Sequence, residues 1–138
     1  MSWGFMGHKR SAIIADDSAA MRRFIRRILQ SANLGFERFR EAENGAEAME
    51  LALQEQPDLI LTDLQMPKMD GAGLLAKLGG IVSIVVVSTD ADLEAVQSLG
   101  AKGCVRKPFT RATLVAEVQR VLAMVLAARD ETSASHPP

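Results

Sequence analysis

The sequence predicts an α/β protein with a doubly wound, five-stranded parallel sheet and helices on both faces of that sheet. Two observations carry this prediction. Short apolar runs recur along the chain, and such runs are typical of parallel strands that are buried on both faces. Amphipathic helical segments separate the runs, so that strands and helices alternate strictly. Strict alternation favours right-handed crossovers within a single sheet.

The predicted strands are short. The first, third and fourth are continuous apolar runs, whereas the second is a weak strand of the edge type. The fifth is the shortest, and Gly100 and Gly103 bracket the turn that leads into it. In chain order, the strands are predicted at residues 11–15, 37–41, 58–62, 82–87 and 104–105.

Capping residues and glycines set the predicted helix boundaries. Ser18 is the expected N-cap of the first helix and Thr110 that of the last. Gly35 ends the first helix, and Gly79 ends the third. The helices are predicted at residues 18–31, 46–55, 71–78, 91–99 and 111–128. In the first of them, the residues expected to face the core are Phe24, Ile25, Ile28 and Leu29.

Length and composition indicate one globular domain. The chain has 138 residues, of which 48% are hydrophobic and 24% charged, which is ordinary for a globular protein with its own core. Its net charge of −1 gives no reason to expect nucleic acid or an anionic membrane as a partner. We expect an N-terminal extension at residues 1–10, the domain at residues 11–128 and a disordered C-terminal tail at residues 129–138.

Several features favour a cytoplasmic protein. The longest apolar stretch, residues 114–128, contains Glu117 and Arg120 and cannot span a bilayer. The single cysteine, Cys104, excludes an internal disulfide and fits a reducing cytosol. The apolar segment around Trp3 and Phe5 is too short for a signal peptide and is either a docking arm or a frayed terminus.

Five polar residues occupy the ends of four predicted strands. Asp16 and Asp17 follow the first strand, Asp63 the third, Ser88 the fourth and Lys107 the fifth. Open α/β sheets bind ligands outside the carboxyl ends of their strands. We therefore expect three acids, a hydroxyl and an ammonium group to converge at one edge of the sheet.

Carboxylates crowded together repel one another and demand a cation or protons. Mg²⁺ suits such a site, since it binds through one or two carboxylates, keeps several waters and often contacts phosphate. Asp17 and Asp63 suit direct ligation, with Asp16 acting through water. A carboxylate can then attack phosphorus and form an aspartyl phosphate. Lys107 would pair with a phosphoryl oxygen, and Ser88 would donate a hydrogen bond to another.

Each of these residues also has a simpler interpretation. A single aspartate at a strand end is usually a helix cap or a turn former. Ser88 could cap the helix that follows it, and Lys107 could be a solvated surface lysine. Coincidence explains one such residue more easily than five of them at the ends of four strands.

The chain resembles the receiver domain of the bacterial two-component response regulators over nearly all of residues 11–128. The most specific motif is Asp-x-x-Met-Pro-x-Met-Asp-Gly, from Asp63 to Gly71. The other segments that carry the resemblance are Asp16-Asp17-Ser18, Val87-Ser88, Gly100-Ala101-Lys102-Gly103 and Lys107-Pro108-Phe109. The resemblance is to stand-alone regulators of the chemotaxis type, and it implies a flavodoxin-like strand order of 2-1-3-4-5.

The resemblance implies a chemical role for the acids. Asp63 would be the phosphoacceptor, and Asp16 and Asp17 would be the acidic metal pair. The Mg²⁺ ligands would be completed by Asp63 and by the backbone carbonyl of Gln65. Apart from its own phosphotransfer and autodephosphorylation, such a protein is not an enzyme.

The resemblance also implies how phosphorylation is sensed. Ser88 would be the switch hydroxyl, and Lys107 would be the phosphate-sensing amine. The Lys107-Pro108 peptide bond is similar to one that this family usually keeps cis. The family commonly has an aromatic switch residue three positions before this pair, where this chain has Cys104. A thiol is too small to follow phosphorylation by filling the same space.

The expected partners are a histidine kinase or histidine phosphotransfer protein, and a downstream protein target. The protein would be a monomer or a phosphorylation-dependent homodimer. A basic stripe on the first helix is either a solvated face or part of the docking site for the phosphodonor; it consists of Arg22, Arg23, Arg26 and Arg27.

Two alternative functions are a pseudo-receiver that binds partners without phosphorylation and a flavodoxin-like electron carrier. The second is disfavoured because Asp16 and Asp17 would repel the phosphate of the flavin.

Overall fold

The structure is a computed structural model that describes residues 9–135, with side chains up to residue 128. Within these residues, one five-stranded parallel sheet has the order β2-β1-β3-β4-β5, which confirms the predicted fold class and strand order. The strands are β1 (Arg10–Ala15), β2 (Phe36–Ala42), β3 (Leu59–Thr62), β4 (Ile84–Ser88) and β5 (Gly103–Arg106). The helices are α1 (Ala19–Ser31), α2 (Gly45–Gln54), α3 (Gly71–Leu78), α4 (Leu93–Ser98) and α5 (Arg111–Ser135).

The register of the strands aligns their carboxyl ends. Ala15, the last residue of β1, pairs with Ala42 on one side and Thr62 on the other. At the far edge of the sheet, Ser88 of β4 pairs with Arg106 of β5. The loops that follow these strands therefore leave the sheet at nearly the same level.

Two apolar cores cover the two faces of the sheet. Neighbouring residues of a strand face opposite ways, so Ile14 belongs to one core and Ile13 to the other. The first core packs α1 and α5 on the sheet through residues such as Ile25 and Leu114. The second packs α2, α3 and α4, with Leu74 fully buried in it. Burial on both faces explains why β1, β3 and β4 are continuous apolar runs.

The predicted helix caps are confirmed. The Ser18 hydroxyl accepts a hydrogen bond from the Met21 backbone N–H at 3.2 Å. The Thr110 hydroxyl accepts one from the Thr113 N–H, also at 3.2 Å. Each bond satisfies an N–H group that lacks a partner within its helix.

The prediction that Phe24 faces the core is wrong. Its side chain is 47% exposed, because the sheet-facing stripe of α1 is filled by Ile25, Ile28 and Leu29. The Phe24 ring instead stacks on Phe109, which follows β5, with 5.6 Å between the ring centroids. Helical periodicity locates the apolar stripe of α1 only to within about one residue, and the Phe24 ring lies at the margin of that stripe.

The C-terminal boundary also differs from the prediction. Helix α5 continues to Ser135, so residues 129–135, which were expected to belong to a disordered tail, are helical. Arg129, Glu131 and Ala134 favour a helix, and no glycine or proline interrupts the chain before Pro137. Trp3 and Phe5 lie outside the described residues.

Among the described helices, none combines the length and apolar character that crossing a membrane requires.

Candidate functional site

The predicted site residues lie at the carboxyl edge of the sheet. Asp16 and Asp63 directly follow β1 and β3, Ser88 is the last residue of β4, and Lys107 directly follows β5. Two backbone hydrogen bonds tie these strand ends together, since the Asp63 N–H donates to the Ala15 carbonyl at 3.0 Å and the Lys107 N–H to the Ser88 carbonyl at 3.1 Å. The fold therefore brings together residues that are far apart in the sequence.

Asp16, Asp17 and Asp63 form an acidic cluster. One carboxylate oxygen from each lies within 4.8 Å of the others. Asp16 is buried, Asp63 is half-buried and Asp17 is exposed, so the cluster opens to solvent on one side. Three converging carboxylate oxygens fit the preference of hard divalent cations such as Mg²⁺ for oxygen ligands.

Lys107 bridges two members of this cluster. Its Nζ lies 2.7 Å from Asp16 Oδ2 and 2.8 Å from Asp63 Oδ2. Burial alone would lower the pKa of Lys107, but the hydrogen bonds to Asp16 and Asp63 outweigh that effect and raise it. Lys107 therefore stays charged and offsets part of the repulsion among the acids.

Asp63 is held in its ionised form. Burial raises the pKa of its carboxyl group, but hydrogen bonds from Lys107, the Gln65 backbone N–H and the Ser88 hydroxyl outweigh burial and lower the pKa below its ordinary value. The Gln65 N–H donates to Asp63 Oδ1 at 3.1 Å. A carboxylate must be ionised to act as a nucleophile, and Asp63 meets that condition at neutral pH.

Two glycines hold the loop after Asp63 in place by letting backbones approach closely. A Cβ atom on Gly71 would lie 2.3 Å from the Asp63 carbonyl oxygen. A Cβ atom on Gly45, at the start of α2, would lie 2.2 Å from the Met69 carbonyl oxygen, which accepts the Gly45 N–H at 2.8 Å. Gly71 is recognisable in the sequence as part of a motif, whereas the role of Gly45 is not, since no local signal pairs it with Met69.

Asp90 also joins the site, although no pattern in the sequence predicts it. Its Oδ2 accepts a hydrogen bond from Gln65 Nε2 at 2.5 Å, and its N–H donates to Ser88 Oγ at 3.4 Å. The first of these bonds links the loops that follow β3 and β4. A short polar loop after a strand gives no sequence signal for such a partner.

Cys104 lies apart from the acidic cluster, half-buried in β5. Its backbone N–H donates to Glu117 Oε2 of α5 at 2.8 Å, and Glu117 in turn accepts from Arg120 Nε at 2.9 Å. Burial, together with the negative charges of Glu117 and Asp92, raises the pKa of the Cys104 thiol, so the thiol stays protonated. In the sequence, the only signal for this contact is that Glu117 interrupts an apolar stretch.

The basic stripe of α1 divides into two parts. Arg22 and Arg26 turn toward β2 and pair with Glu41, at 2.9 and 3.2 Å. Arg23 and Arg27 are exposed. The stripe is therefore not one uniform solvated face.

The loop after β5 has the peptide geometry that the resemblance implies. The Lys107-Pro108 bond is cis, which confirms that expectation. Phe109, the next residue, stacks on Phe24 of α1. The loop that carries Lys107 is thus packed against the first helix.

Comparison with known proteins assigns the family. The profile of the response regulator receiver domain matches residues 12–119, which is most of the chain. The chain belongs to this family. Membership decides against the electron-carrier alternative and confirms the resemblance seen in the sequence.

The receiver's relatives include chemotaxis regulators. It is 36% identical to the chemotaxis protein CheY of Bacillus subtilis over 124 residues, which cover 85% of this chain and 99% of that protein. It is 29% identical to CheY of Halobacterium salinarum over 119 residues, which cover 82% and 97% of the two chains.

Solved structures show the same fold. The chemotaxis response regulator CheY4 of Vibrio cholerae matches with a TM-score of 0.73 and 30% identity, covering 83% of this receiver and 99% of that chain. The receiver domain of AraT, a response regulator from Geobacillus stearothermophilus, matches with a TM-score of 0.77 and 28% identity, covering 88% and 99%.

Proposed function

We propose that this receiver accepts a phosphoryl group on Asp63 from a histidine kinase or a histidine phosphotransfer protein, in a reaction that depends on Mg²⁺. The observation that carries the proposal is the setting of Asp63, an ionised carboxylate that lies beside the acidic pair and is bonded to the Lys107 ammonium. The acids favour a divalent cation, and Lys107 favours an incoming anion. Together they suit a phosphoryl group that arrives with its metal ion.

The residues that would hold Mg²⁺ are Asp17 and Asp63 directly, Asp16 through water and the Gln65 backbone carbonyl. When bound, the ion neutralises the carboxylates and lets a phosphoryl group approach them. The chain's own contribution is to keep Asp16 fixed. Its side chain is 2% exposed and accepts hydrogen bonds from both the Ser18 N–H and Lys107.

The chemical step is a displacement at phosphorus. An Asp63 carboxylate oxygen forms the new O–P bond, the P–N bond of the donor phosphohistidine breaks, and the released imidazole takes up a proton from solvent. Lys107 then pairs with a phosphoryl oxygen instead of the Asp63 carboxylate, and the Ser88 hydroxyl donates to another. Lys107 already donates to Asp63 Oδ2 in this structure, and the Ser88 hydroxyl helps to lower the pKa of Asp63.

Signalling would follow from altered contacts with a downstream protein, in the cytoplasm. Apart from its own phosphotransfer and autodephosphorylation, the protein has no enzymatic role in this proposal. For the phosphodonor, the surface beside the site offers the Phe24–Phe109 stack with the exposed Arg23 and Arg27 on the same helix. Exposed aromatic rings and arginines are enriched in protein interfaces.

Intact-mass spectrometry tests the proposal. The wild-type protein is incubated with a phosphohistidine donor, with and without Mg²⁺, alongside Asp63→Asn and a control variant, Asp92→Asn, whose side chain is exposed and makes no cap to α4. We expect one added phosphoryl group in wild type and in the control only when Mg²⁺ is present, and none in Asp63→Asn. Equal labelling of wild type and Asp63→Asn would contradict the assignment, and no labelling of either would favour a pseudo-receiver.

A further inference from the structure

Arg22 is the member of the basic stripe that reaches the acidic pair. Its side chain is 14% exposed, and its guanidinium lies between the end of β1 and strand β2. Nη1 donates to the Asp16 backbone carbonyl at 2.6 Å, and Nε donates to Glu41 Oε1 at 2.9 Å. One side chain thus links α1, the β1–α1 loop and β2.

The peptide unit after Asp16 is held through this contact. The Asp16 N–H donates to the Ala42 carbonyl of β2 at 3.0 Å, while the Asp16 carbonyl accepts from Arg22. Asp16 Oδ1 also accepts the Ser18 N–H at 2.9 Å. The direction of the Asp16 carbonyl sets the plane of the peptide that leads into Asp17, and hence where the Asp17 carboxylate can point.

Arg22 is itself held in place, and its charge is compensated. Glu41 accepts from both Arg22 and Arg26, and the Arg26 guanidinium lies 5.6 Å from the centre of the Phe39 ring. The Glu41 carboxylate offsets the positive charge of Arg22, so that the charge opposes a cation at the nearby acidic pair less strongly.

We propose that Arg22 is a positioning residue for the metal site, which fixes the Asp16 carbonyl and thereby orients the acidic pair toward the cation. This inference rests on the proposed function, because it assumes that the acidic cluster binds Mg²⁺. Outer partners that orient metal ligands typically contribute 10- to 100-fold in metal affinity. Arg22 acts through a backbone carbonyl instead of a ligand side chain, so we expect a loss of roughly tenfold when it is removed.

Mg²⁺ titration calorimetry on the full chain tests the proposal with a charge-matched control. Arg22→Gln and Arg23→Gln each remove one positive charge from neighbouring positions of α1, but only Arg22 contacts Asp16. Loss of a positive charge by itself should strengthen cation binding in both variants. We expect Arg22→Gln instead to bind Mg²⁺ roughly tenfold more weakly than Arg23→Gln. Equal affinities of the two variants would overturn the proposal.

Amide hydrogen exchange in the metal-free proteins gives a second readout. Without Arg22, the amide of Ser18, which donates to Asp16 Oδ1, should exchange faster, whereas amides in the centre of β3 should not change. Unchanged exchange at Ser18 would overturn the proposal even if the affinity fell. If wild type binds no Mg²⁺, the proposed function fails, and the exchange result still decides whether Arg22 orders the loop.

Arg22→Lys covers the case in which Arg22→Gln does not fold. It keeps the positive charge, but an ammonium group is a compact point charge and lacks the fork that reaches Asp16 and Glu41 together. We expect Arg22→Lys to show the same faster exchange and weaker Mg²⁺ binding as Arg22→Gln. Wild-type behaviour of Arg22→Lys in both measurements would mean that charge alone matters, and would overturn the positioning role.

Discussion

Lys107 Nζ donates to Asp63 Oδ2 across 2.8 Å, although 44 residues separate the two along the chain. The bond joins the ends of β3 and β5, which are not neighbours in the sheet. Because β4 lies between these strands, Lys107 reaches over the end of β4 to the centre of the site. The ammonium therefore occupies the position from which it can exchange a carboxylate partner for a phosphoryl oxygen.

Replacing Lys107 should make the stability of the folded protein depend more strongly on Mg²⁺. In Lys107→Met the acids lose their only described cationic partner, and we expect the free energy of unfolding without metal to fall by about 3 kcal/mol, the low end for breaking a buried pair. Mg²⁺ should then stabilise the variant more than wild type, because a competing charge is gone. Thermal melts with and without Mg²⁺ measure both effects. Lys77→Met, at an exposed position of α3, is the control, and a smaller Mg²⁺ response in Lys107→Met than in wild type would contradict the argument.

The Asp63 carboxylate should add an acid-sensitive contribution to stability. Its pKa is lowered in the folded protein, so its contribution is present above the pKa of the unfolded chain and is lost as the pH falls through the folded value. Urea unfolding without metal, from about pH 5 to about pH 2, should show a steeper loss of unfolding free energy in wild type than in Asp63→Asn. Parallel curves would mean that Asp63 is not held in its ionised form.

The Lys107 ammonium should make the free energy of unfolding fall as the pH rises into the alkaline range. Its pKa is raised, so its contribution is present below the pKa of the unfolded chain and is lost as the pH rises through the folded value. Above about pH 10, wild type should therefore lose unfolding free energy more steeply than Lys107→Met. Equal slopes for the two proteins in urea unfolding would argue against the two hydrogen bonds of Lys107.

Asp17 should carry much of the Mg²⁺ stabilisation. Ligand binding to the folded state raises the free energy of unfolding according to occupancy, so a lost ligand reduces the effect at a given Mg²⁺ concentration. We expect Asp17→Ala to remove most of the Mg²⁺-induced rise in melting temperature. Asp92→Ala provides the control, because Asp92 is also exposed and makes no side-chain cap to α4. The same Mg²⁺ response in Asp17→Ala and wild type would exclude direct ligation by Asp17.

Glu117 should stabilise the edge strand β5. Glu117→Ala removes the acceptor of the Cys104 N–H and the partner of Arg120, and we expect the free energy of unfolding to fall by about 2 kcal/mol. Glu117→Gln keeps an acceptor and should lose only about half as much. Urea unfolding measures the difference, and hydrogen exchange at the Cys104 amide should rise in the alanine variant. Losses of equal size in the two variants would argue against the hydrogen bond.

The response to phosphorylation should be carried by backbone movement instead of the Cys104 side chain. The Cys104 thiol is small, and Glu117 holds its backbone, so we expect amide chemical-shift changes on adding beryllium fluoride to concentrate at residues 88–98 and 104–109. Such a response is a shift between two populated arrangements. Cys104→Ala should leave most of these changes intact. If it abolished them while Asp63 still bound the mimic, the thiol would be the switch.

Local patterns in the sequence were sufficient to predict the elements of the fold and the edge of the sheet at which the site lies. Apolar runs and helical periodicity are local patterns, and the runs of β1, β3 and β4 are buried as they predicted. The convergence of Asp16, Asp63 and Lys107 also followed from the sequence, because parallel strands bring their carboxyl ends to one edge.

The side chains that hold the site and the edge strand β5 in place could not be predicted, because they depend on tertiary contacts that no local pattern reveals. The contacts of Arg22 with Glu41, and of Glu117 with Cys104, join different elements, and nothing local in the sequence pairs their members. The position of Phe24 was decided in the same way, because periodicity defines an apolar stripe but not its margins. Local patterns report which groups must be buried, whereas the choice of partner depends on the distance and geometry that packing creates.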